Sequence, residues 1–127
     1  MGEKREGVVC FLRIKDDLHI EYAPDDRKWT GIGGFVEKGE ALEAAVVREV
    51  TEETYMKFQE DRLQRVAELE MDFILHVFIT DTFTGEIRAK EKTIIDLLWY
   101  PVHDLPYPFM HPGTESWLPL VLEGKYV

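Results

Sequence analysis

The sequence has little that suits a secreted or membrane-bound protein. Among its 127 residues there is one cysteine, Cys10, so no disulfide can form within the chain. No apolar run approaches the length that spans a membrane, and the first residues, MGEKREG, are charged where a signal peptide would be apolar. We therefore expect a cytoplasmic protein that makes no contact with a membrane.

Positive charge is scarce as well. The chain has 15 lysines and arginines against 25 aspartates and glutamates, which gives a formal net charge of -10. Proteins that bind nucleic-acid polymers usually present a basic stripe, and the charge balance therefore predicts that no such polymer is a partner. A small phosphate ligand is compatible with this acidity if a divalent metal bridges it to the protein.

What remains is the composition of one globular domain, residues 1–127, with 45% hydrophobic residues. Apolar, β-rich runs predict strands at 8–14, 18–22, 63–69, 72–82 and 93–100, the first two as a hairpin. At the glycines of 31–34 the backbone is expected to bend sharply or to approach a ligand, and a turn is expected at 84–85. A stretch without proline or glycine and rich in Ala, Glu, Val and Leu predicts a helix at 40–54, and a closing helix is predicted at 115–122, with Pro119 in its first turns. Together these elements predict an α/β (α+β) domain with a mixed sheet, in which strand 72–82, apolar on both faces, is central.

The helix predicted at 40–54 carries three glutamates, Glu49, Glu52 and Glu53, within about 100° of its circumference. Like charges at this spacing repel by roughly 0.2–0.5 kcal/mol per pair, so a compensating cation is expected. Carboxylates on a rigid face suit a hard ion, Mg²⁺ or Mn²⁺. The alternative is a solvated face of an acidic protein. Arg48 and Glu40, eight residues apart, are expected to form an ion pair between the helix and the loop before it.

The spacing around these glutamates continues on both sides of them. After Gly34 come five residues, Glu40, seven residues and then REVTEE. This pattern resembles the Nudix box over residues 34–56, G-x5-E-x7-R-E-U-x-E-E-x-G-U, in which U is a bulky aliphatic residue. Val50 and Met56 fill the two U positions. Tyr55 stands where the box has glycine, so the helix is expected either to continue through it or to adopt left-handed geometry there, at a cost of roughly 1–2 kcal/mol.

The resemblance implies an α/β/α sandwich that hydrolyses a nucleoside diphosphate linked to another group. It implies a metal site formed by the Gly33 carbonyl and the carboxylates of Glu49, Glu52 and Glu53, with Glu49 also the candidate base for the attacking water. The resemblance also implies that the ion pair of Arg48 and Glu40 is a structural part of the catalytic motif. The implied cofactor is Mg²⁺, with Mn²⁺ as a substitute.

Other stretches resemble the MutT branch of this family, the 8-oxo-dGTP diphosphatases, from about residue 8 to residue 126. WTGIGGFVEKGE, LHVFITDTFTGE and the tail LLWYPVHDLPYPFMHPGTESWLPLVLEGKY each have counterparts there. The resemblance implies a small-molecule nucleotide as substrate. It favours a purine nucleoside triphosphate such as 8-oxo-dGTP, cleaved to a monophosphate and pyrophosphate.

The substrate-binding positions implied by that branch include several departures from it. They are Trp29, Thr30, Gly33, Gly34, His111, Gly113 and Thr114. Thr30 replaces an asparagine, and the last three positions replace a tryptophan and two aspartates that grip the purine. Ile94 replaces a carboxylate, which leaves Glu91 as the nearest candidate for a further metal ligand. Because hydrogen-bonding groups are lost, we expect weaker discrimination of an oxidised base.

Two other functions share parts of this pattern. Nudix hydrolases of dinucleoside polyphosphates or nucleotide sugars have the same box, but they often carry a proline or tyrosine shortly after it, and residues 70–73 contain neither. A nucleotide-binding module without turnover usually loses glutamates of the box, and all of them are present here. Hydrolysis of a nucleoside triphosphate is therefore the favoured interpretation.

Overall fold

The first apolar run forms the centre of the sheet. The computed structural model describes residues 4–23, 27–90, 94 and 96–127, and in it β1 (Glu6–Ile14) and β2 (Asp17–Ala23) form the predicted antiparallel hairpin. β1 also pairs in parallel with β7 (Ile74–Thr80) along the whole of β7. Residues 7–12 of β1 are buried, because both faces of this strand are covered.

The other elements follow the predicted order, with four strands in addition to the five predicted. These elements are β3 (Lys28–Thr30), β4 (Ile32–Phe35), α1 (Leu42–Glu53), β5 (Thr54–Lys57), β6 (Gln64–Glu70), β8 (Thr84–Ala89), β9 (Asp96–Pro101) and α2 (Thr114–Leu122), with short 3₁₀ turns at Glu60–Arg62 and Tyr107–Phe109. The additional strands are β3, β4, β5 and β8. In the described part of the chain, seven strands form a mixed sheet of order β3-β2-β1-β7-β6, in which β4 pairs with β1 and β9 with β2. β5 and β8 form a separate pair. β7 lies between β1 and β6, which confirms the prediction of a central strand.

Alternation along β1 separates two cores, one on each face of the sheet. The even-numbered residues 8, 10 and 12 share a core with Val46 of α1, whereas residues 9 and 11 share the other core with Leu118 of α2. Val46 and Leu118 are both fully buried, and burying such a side chain contributes roughly 1.5–3 kcal/mol. The predicted α/β/α sandwich is thus confirmed. Within the described residues, no helix is long and apolar enough to cross a membrane.

The end of α1 differs from both geometries expected at Tyr55. α1 stops at Glu53, and Thr54 has extended backbone angles (φ -137°, ψ 173°) while its N–H donates to the Val50 carbonyl. The Thr54 hydroxyl also donates to that carbonyl at 2.8 Å and accepts from the Met56 N–H at 3.1 Å. Tyr55 therefore lies in β5, neither helical nor left-handed, because the threonine before it completes the helix end.

Most of the residues expected to form turns lie in strands, whereas Gly31 lies between β3 and β4. Gly33 and Gly34 lie in β4, paired with β1, and residues 84–85 begin β8, paired with β5. At Gly85, φ is +86° and an added Cβ would overlap the Tyr55 carbonyl. Gly33, Gly34 and Gly85 allow close packing within strands, so the prediction of a sharp bend or turn at these three glycines is wrong.

Candidate active site

The glycines of β4 allow a glutamate of α1 to lie against the sheet. A Cβ added at Gly34 would overlap the Glu49 carboxylate, and one added at Gly33 would overlap the Val8 carbonyl. Any larger residue at these positions would displace either the carboxylate or the strand pairing. The backbone of β4 and the second half of α1 are therefore in direct contact.

Arg48 is the centre of the charged network at this contact. Its Nε and Nη2 donate to the two oxygens of Glu40 at 2.8 and 3.0 Å, so the ion pair expected from the sequence is present and bidentate. Nη1 donates to Glu49 Oε1 at 2.8 Å, and Glu52 Oε2 lies 3.4 Å from the same nitrogen. Nη2 also donates to the Phe35 carbonyl at 3.0 Å. One guanidinium thus fixes the loop, β4 and α1 to one another.

Negative charge exceeds positive charge in this network. Glu37 lies 3.3 Å from Arg48 Nε, so four carboxylates share one arginine. The hydrogen bond from Arg48 lowers the pKa of Glu40, whereas burial raises the pKa of Glu49 despite its contact with Arg48. The hydrogen bond to Glu40 raises the pKa of Arg48, and its guanidinium therefore stays charged at any physiological pH. The remaining negative charge favours a further cation.

A cleft of about 490 Å³ opens beside this network, between the sheet and the start of α2. Six of the seven expected substrate-binding residues line it: Trp29, Thr30, Gly33, Gly34, His111 and Thr114. Gly113 instead precedes α2 with a φ of 91°, a left-handed conformation that favours glycine. Glu53, the last residue of α1, also lines the cleft. The fold therefore brings the end of the carboxylate helix and the distant tail segment to one cavity.

Aromatic packing and a β-bridge fix the wall of the cleft that does not belong to α1. The ring of Trp29 contacts the ring of Tyr100 at a centroid distance of 5.5 Å, and Trp29 forms a β-bridge with Met110. The bridge places the tail loop next to β3. In that loop the Thr114 hydroxyl donates to the His111 carbonyl at 2.6 Å, so this hydroxyl stabilises the loop itself.

Comparison with known proteins identifies the family. The family model described as NUDIX domain matches residues 3–121. The chain belongs to the Nudix family. The oxidized purine nucleoside triphosphate hydrolase of Danio rerio is 30% identical over 105 residues, which cover 77% of this chain and 65% of that protein. The NAD-capped RNA hydrolase NudC of Photorhabdus laumondii is 41% identical over 103 residues, covering 76% of this chain and 39% of that protein.

A solved structure shares the same layers. The crystal structure of a MutT NUDIX hydrolase from Burkholderia pseudomallei has a TM-score of 0.79 and 26% identity, covering 92% of this chain and 97% of that one. The two curated relatives are longer, and the chain spans less than two thirds of the length of each. The similarity therefore establishes the Nudix fold for nearly the whole chain.

The three Nudix glutamates of α1 lie in different surroundings. Glu49 lies against Gly34 with its side chain 13% exposed, Glu52 is 51% exposed, and Glu53 lines the cleft. Among the described residues, no three His, Cys, Asp or Glu side chains form a group that could hold a metal. The donor set still fits Mg²⁺, because it consists of carboxylates with excess negative charge. Glu91, the expected further ligand, lies outside the described residues.

A buried acidic residue of the cleft is missing from the sequence-based set. Glu21 of β2 lines the cleft and is only 3% exposed. Buried carboxylates are rare because desolvation of the charge is costly. The signal in the sequence is LHIEY, where a carboxylate stands inside an otherwise apolar strand. Glu21 thus adds a buried carboxyl group to the wall of the cleft on the sheet side.

Proposed function

We propose that this Nudix chain is a metal-dependent pyrophosphohydrolase that converts a nucleoside triphosphate to a nucleoside monophosphate and pyrophosphate. The observation that carries the proposal is the network in which Arg48 holds Glu40, Glu49 and Glu52 beside a cleft that Glu53 lines. An aromatic and apolar wall faces these charges across the same cleft. Phosphates and a base therefore find complementary surroundings at its two ends.

Glu49, Glu52 and Glu53 are the residues that would hold the metal, Mg²⁺ or Mn²⁺. When bound, the ion neutralises charge that develops on the phosphate oxygens. Glu49 is also the candidate to accept the proton of the attacking water, whose oxygen bonds to phosphorus as the bridging P–O bond breaks. Arg48 holds this carboxylate in position, and Glu40 in turn orients Arg48 through two hydrogen bonds.

The other end of the cleft supports a purine as the base. Trp29 offers a ring face or edge, and the buried carboxylate of Glu21 is an acceptor for the N–H groups on the edge of a guanine-type base. His111 is exposed at the rim. Because Gly113 has no side chain and the Thr114 hydroxyl is bonded to the loop, we expect 8-oxo-dGTP to be accepted with modest preference over dGTP.

A second candidate is hydrolysis of a pyrophosphate that joins two larger groups. The relative with 41% identity is named for its action on NAD-capped RNA, and its name weakens the expectation that nucleic-acid polymers are excluded by net charge. Dinucleoside polyphosphates and nucleotide sugars belong to the same class of substrate. A nucleotide-binding module without turnover is disfavoured because the carboxylate set of the box is complete.

The test is a comparison of kcat/KM with Mg²⁺ for 8-oxo-dGTP, dGTP, a pyrimidine triphosphate, NAD and an NAD-capped RNA. The proposal predicts the highest values for the purine triphosphates. Values for NAD or capped RNA that exceed those for every triphosphate would replace the leading candidate with the second one. Absence of turnover on all substrates would leave only the binding module.

A further inference from the structure

A second pocket lies at the opposite end of α2 from the substrate cleft. The C-terminal ends of β1 and β7, which run in parallel, and the end of α2 enclose a volume of about 460 Å³. No described residue lines both this pocket and the cleft. Along β1 the lining of the cleft reaches Phe11 and the lining of the pocket begins at Arg13, about 7 Å further along the strand. The two cavities are therefore neighbours with separate linings.

The charge of this pocket is opposite in sign to the charge of the protein. Among the described residues, five lysines and arginines line it, together with only one acidic residue, Asp81. The five cations are Arg13, Lys15, Arg62, Arg65 and Lys125. In a chain with a net charge of -10, such a concentration around a concave surface attracts anions.

Arg13 has a structural role that explains its own presence. Its Nη1 donates to the Leu122 carbonyl at the end of α2 at 2.8 Å, and its Nε donates to the Lys15 carbonyl at 2.9 Å. Asp16 lies 4.0 Å from its Nη2. Arg13 thus compensates the negative end of the α2 dipole, and these bonds hold its guanidinium at the wall of the pocket.

The other cations are not explained by internal ion pairing. Among the described residues, Lys15, Arg62 and Arg65 have no carboxylate oxygen within 4.0 Å, the limit for a salt bridge. Lys125 lies 3.5 Å from Glu123, and both of these side chains are largely exposed, a kind of pair that contributes little. Two arginines and a lysine therefore present free donors, and guanidinium groups match phosphate oxygens with two parallel hydrogen bonds.

The floor of the pocket is apolar. Val66, Ile79 and Val121 line it, and Tyr126 stands among the lining residues with 60% of its surface exposed. The volume is within the range of small-molecule sites, roughly 300–1,000 Å³. A compact carbon group or ring fits against this floor while a phosphate meets the cations. We propose that this pocket binds a small phosphorylated molecule at a site separate from the hydrolytic cleft.

The experiment uses the full chain in excess chelator, so that divalent ions contribute to binding at neither site. Inorganic pyrophosphate and a nucleoside monophosphate are titrated near physiological ionic strength while backbone amide shifts are recorded. The test variant is Arg62→Ala with Arg65→Ala, and the matched control is Lys57→Ala with Arg88→Ala, which removes the same charge from exposed positions outside the pocket. Arg65→Glu serves as a second test variant, and thermal unfolding verifies that each variant is folded.

The proposal predicts saturable binding of both probes, with shifts concentrated around residues 62–65 and 124–126. Affinity should fall by about tenfold or more in the test variants and by less than about twofold in the control. Shifts confined to the cleft, no saturation, or equal weakening in test and control variants would overturn it. A single-stranded RNA that binds this pocket more tightly than both small probes would also overturn it, because the ligand would then be a polymer.

Discussion

The two ends of the substrate cleft are built in different ways. At the phosphate end, side chains from one continuous stretch, residues 34–53, are fixed to one another by charge, as in the bidentate pair of Arg48 and Glu40. At the proposed base end, Glu21 and Trp29 come from the paired strands β2 and β3 and His111 comes from the distant tail loop, and packing and strand pairing fix them. Under the proposed function, the groups for phosphate cleavage are thus encoded in one stretch of sequence, whereas the groups for base recognition also depend on the tail loop.

The largest effect is expected at the phosphate end, from Glu53→Gln. Loss of a carboxylate that faces the cleft should lower kcat/KM for the best triphosphate by about a hundredfold or more. The matched control is Glu43→Gln, an exposed carboxylate in the first turn of the same helix. Near wild-type turnover in Glu53→Gln would show that this residue does not serve the reaction.

Arg48→Ala should affect both activity and stability. It removes the shared partner of four carboxylates, of which Glu40 and Glu49 are largely buried, and should lower the free energy of unfolding by about 1–3 kcal/mol. Arg48→Lys keeps the charge without the bidentate geometry, so its activity and stability should lie between those of the wild type and those of Arg48→Ala. A variant with normal denaturant unfolding and normal turnover would refute the role of Arg48 in the network.

Acid titration tests the ion pair of Arg48 and Glu40 in a second way. Arg48 lowers the pKa of Glu40 below its usual value of 4.5, so the pair stabilises the native state above that value and loses its contribution as the pH falls through the lowered pKa. The wild type should therefore lose more stability on acidification than Arg48→Ala does. Equal losses in the two proteins would contradict this linkage.

At the base end, Glu21→Gln should change selectivity more than turnover in general. If the carboxylate accepts hydrogen bonds from a guanine-type base, kcat/KM for dGTP should fall by about tenfold, while a pyrimidine triphosphate should be little affected. Asp17→Asn, at an exposed position of the same strand, is the control. A uniform loss across all nucleotides would assign Glu21 to the structure of the cleft.

The smallest effect concerns the oxidised base. With Thr30, Gly113 and Thr114 in place of the polar groups of the MutT branch, the ratio of kcat/KM for 8-oxo-dGTP over dGTP should stay below about a thousandfold. Stacking on a ring responds to the presence of a base more than to its substituents. A larger ratio, measured with the wild-type chain, would show that other residues read the oxidised base.

The two ends of the cleft also differ in how far they can be predicted from the sequence. The contact of Arg48 with Glu40 is readable from spacing, because both lie on one helix and the loop that leads into it. The place of Glu21 in the cleft is not readable in this way, since the residue pattern of a strand does not show which neighbouring element covers each of its faces. The strands β5 and β8 are also not predicted: β5 is only four residues long, and β8 is largely exposed, so neither shows a period of hydrophobicity. Tyr55 differs from expectation because Thr54 completes the helix end through its own hydroxyl.

Product analysis with and without divalent metal tests the central claim most directly. The wild-type chain is incubated with its best triphosphate and Mg²⁺, and the products are separated and quantified. All the carboxylates of the Nudix box are present in the chain. We therefore predict equal amounts of nucleoside monophosphate and pyrophosphate, and no turnover in excess chelator. Release of orthophosphate alone, or full activity in excess chelator, would contradict the account.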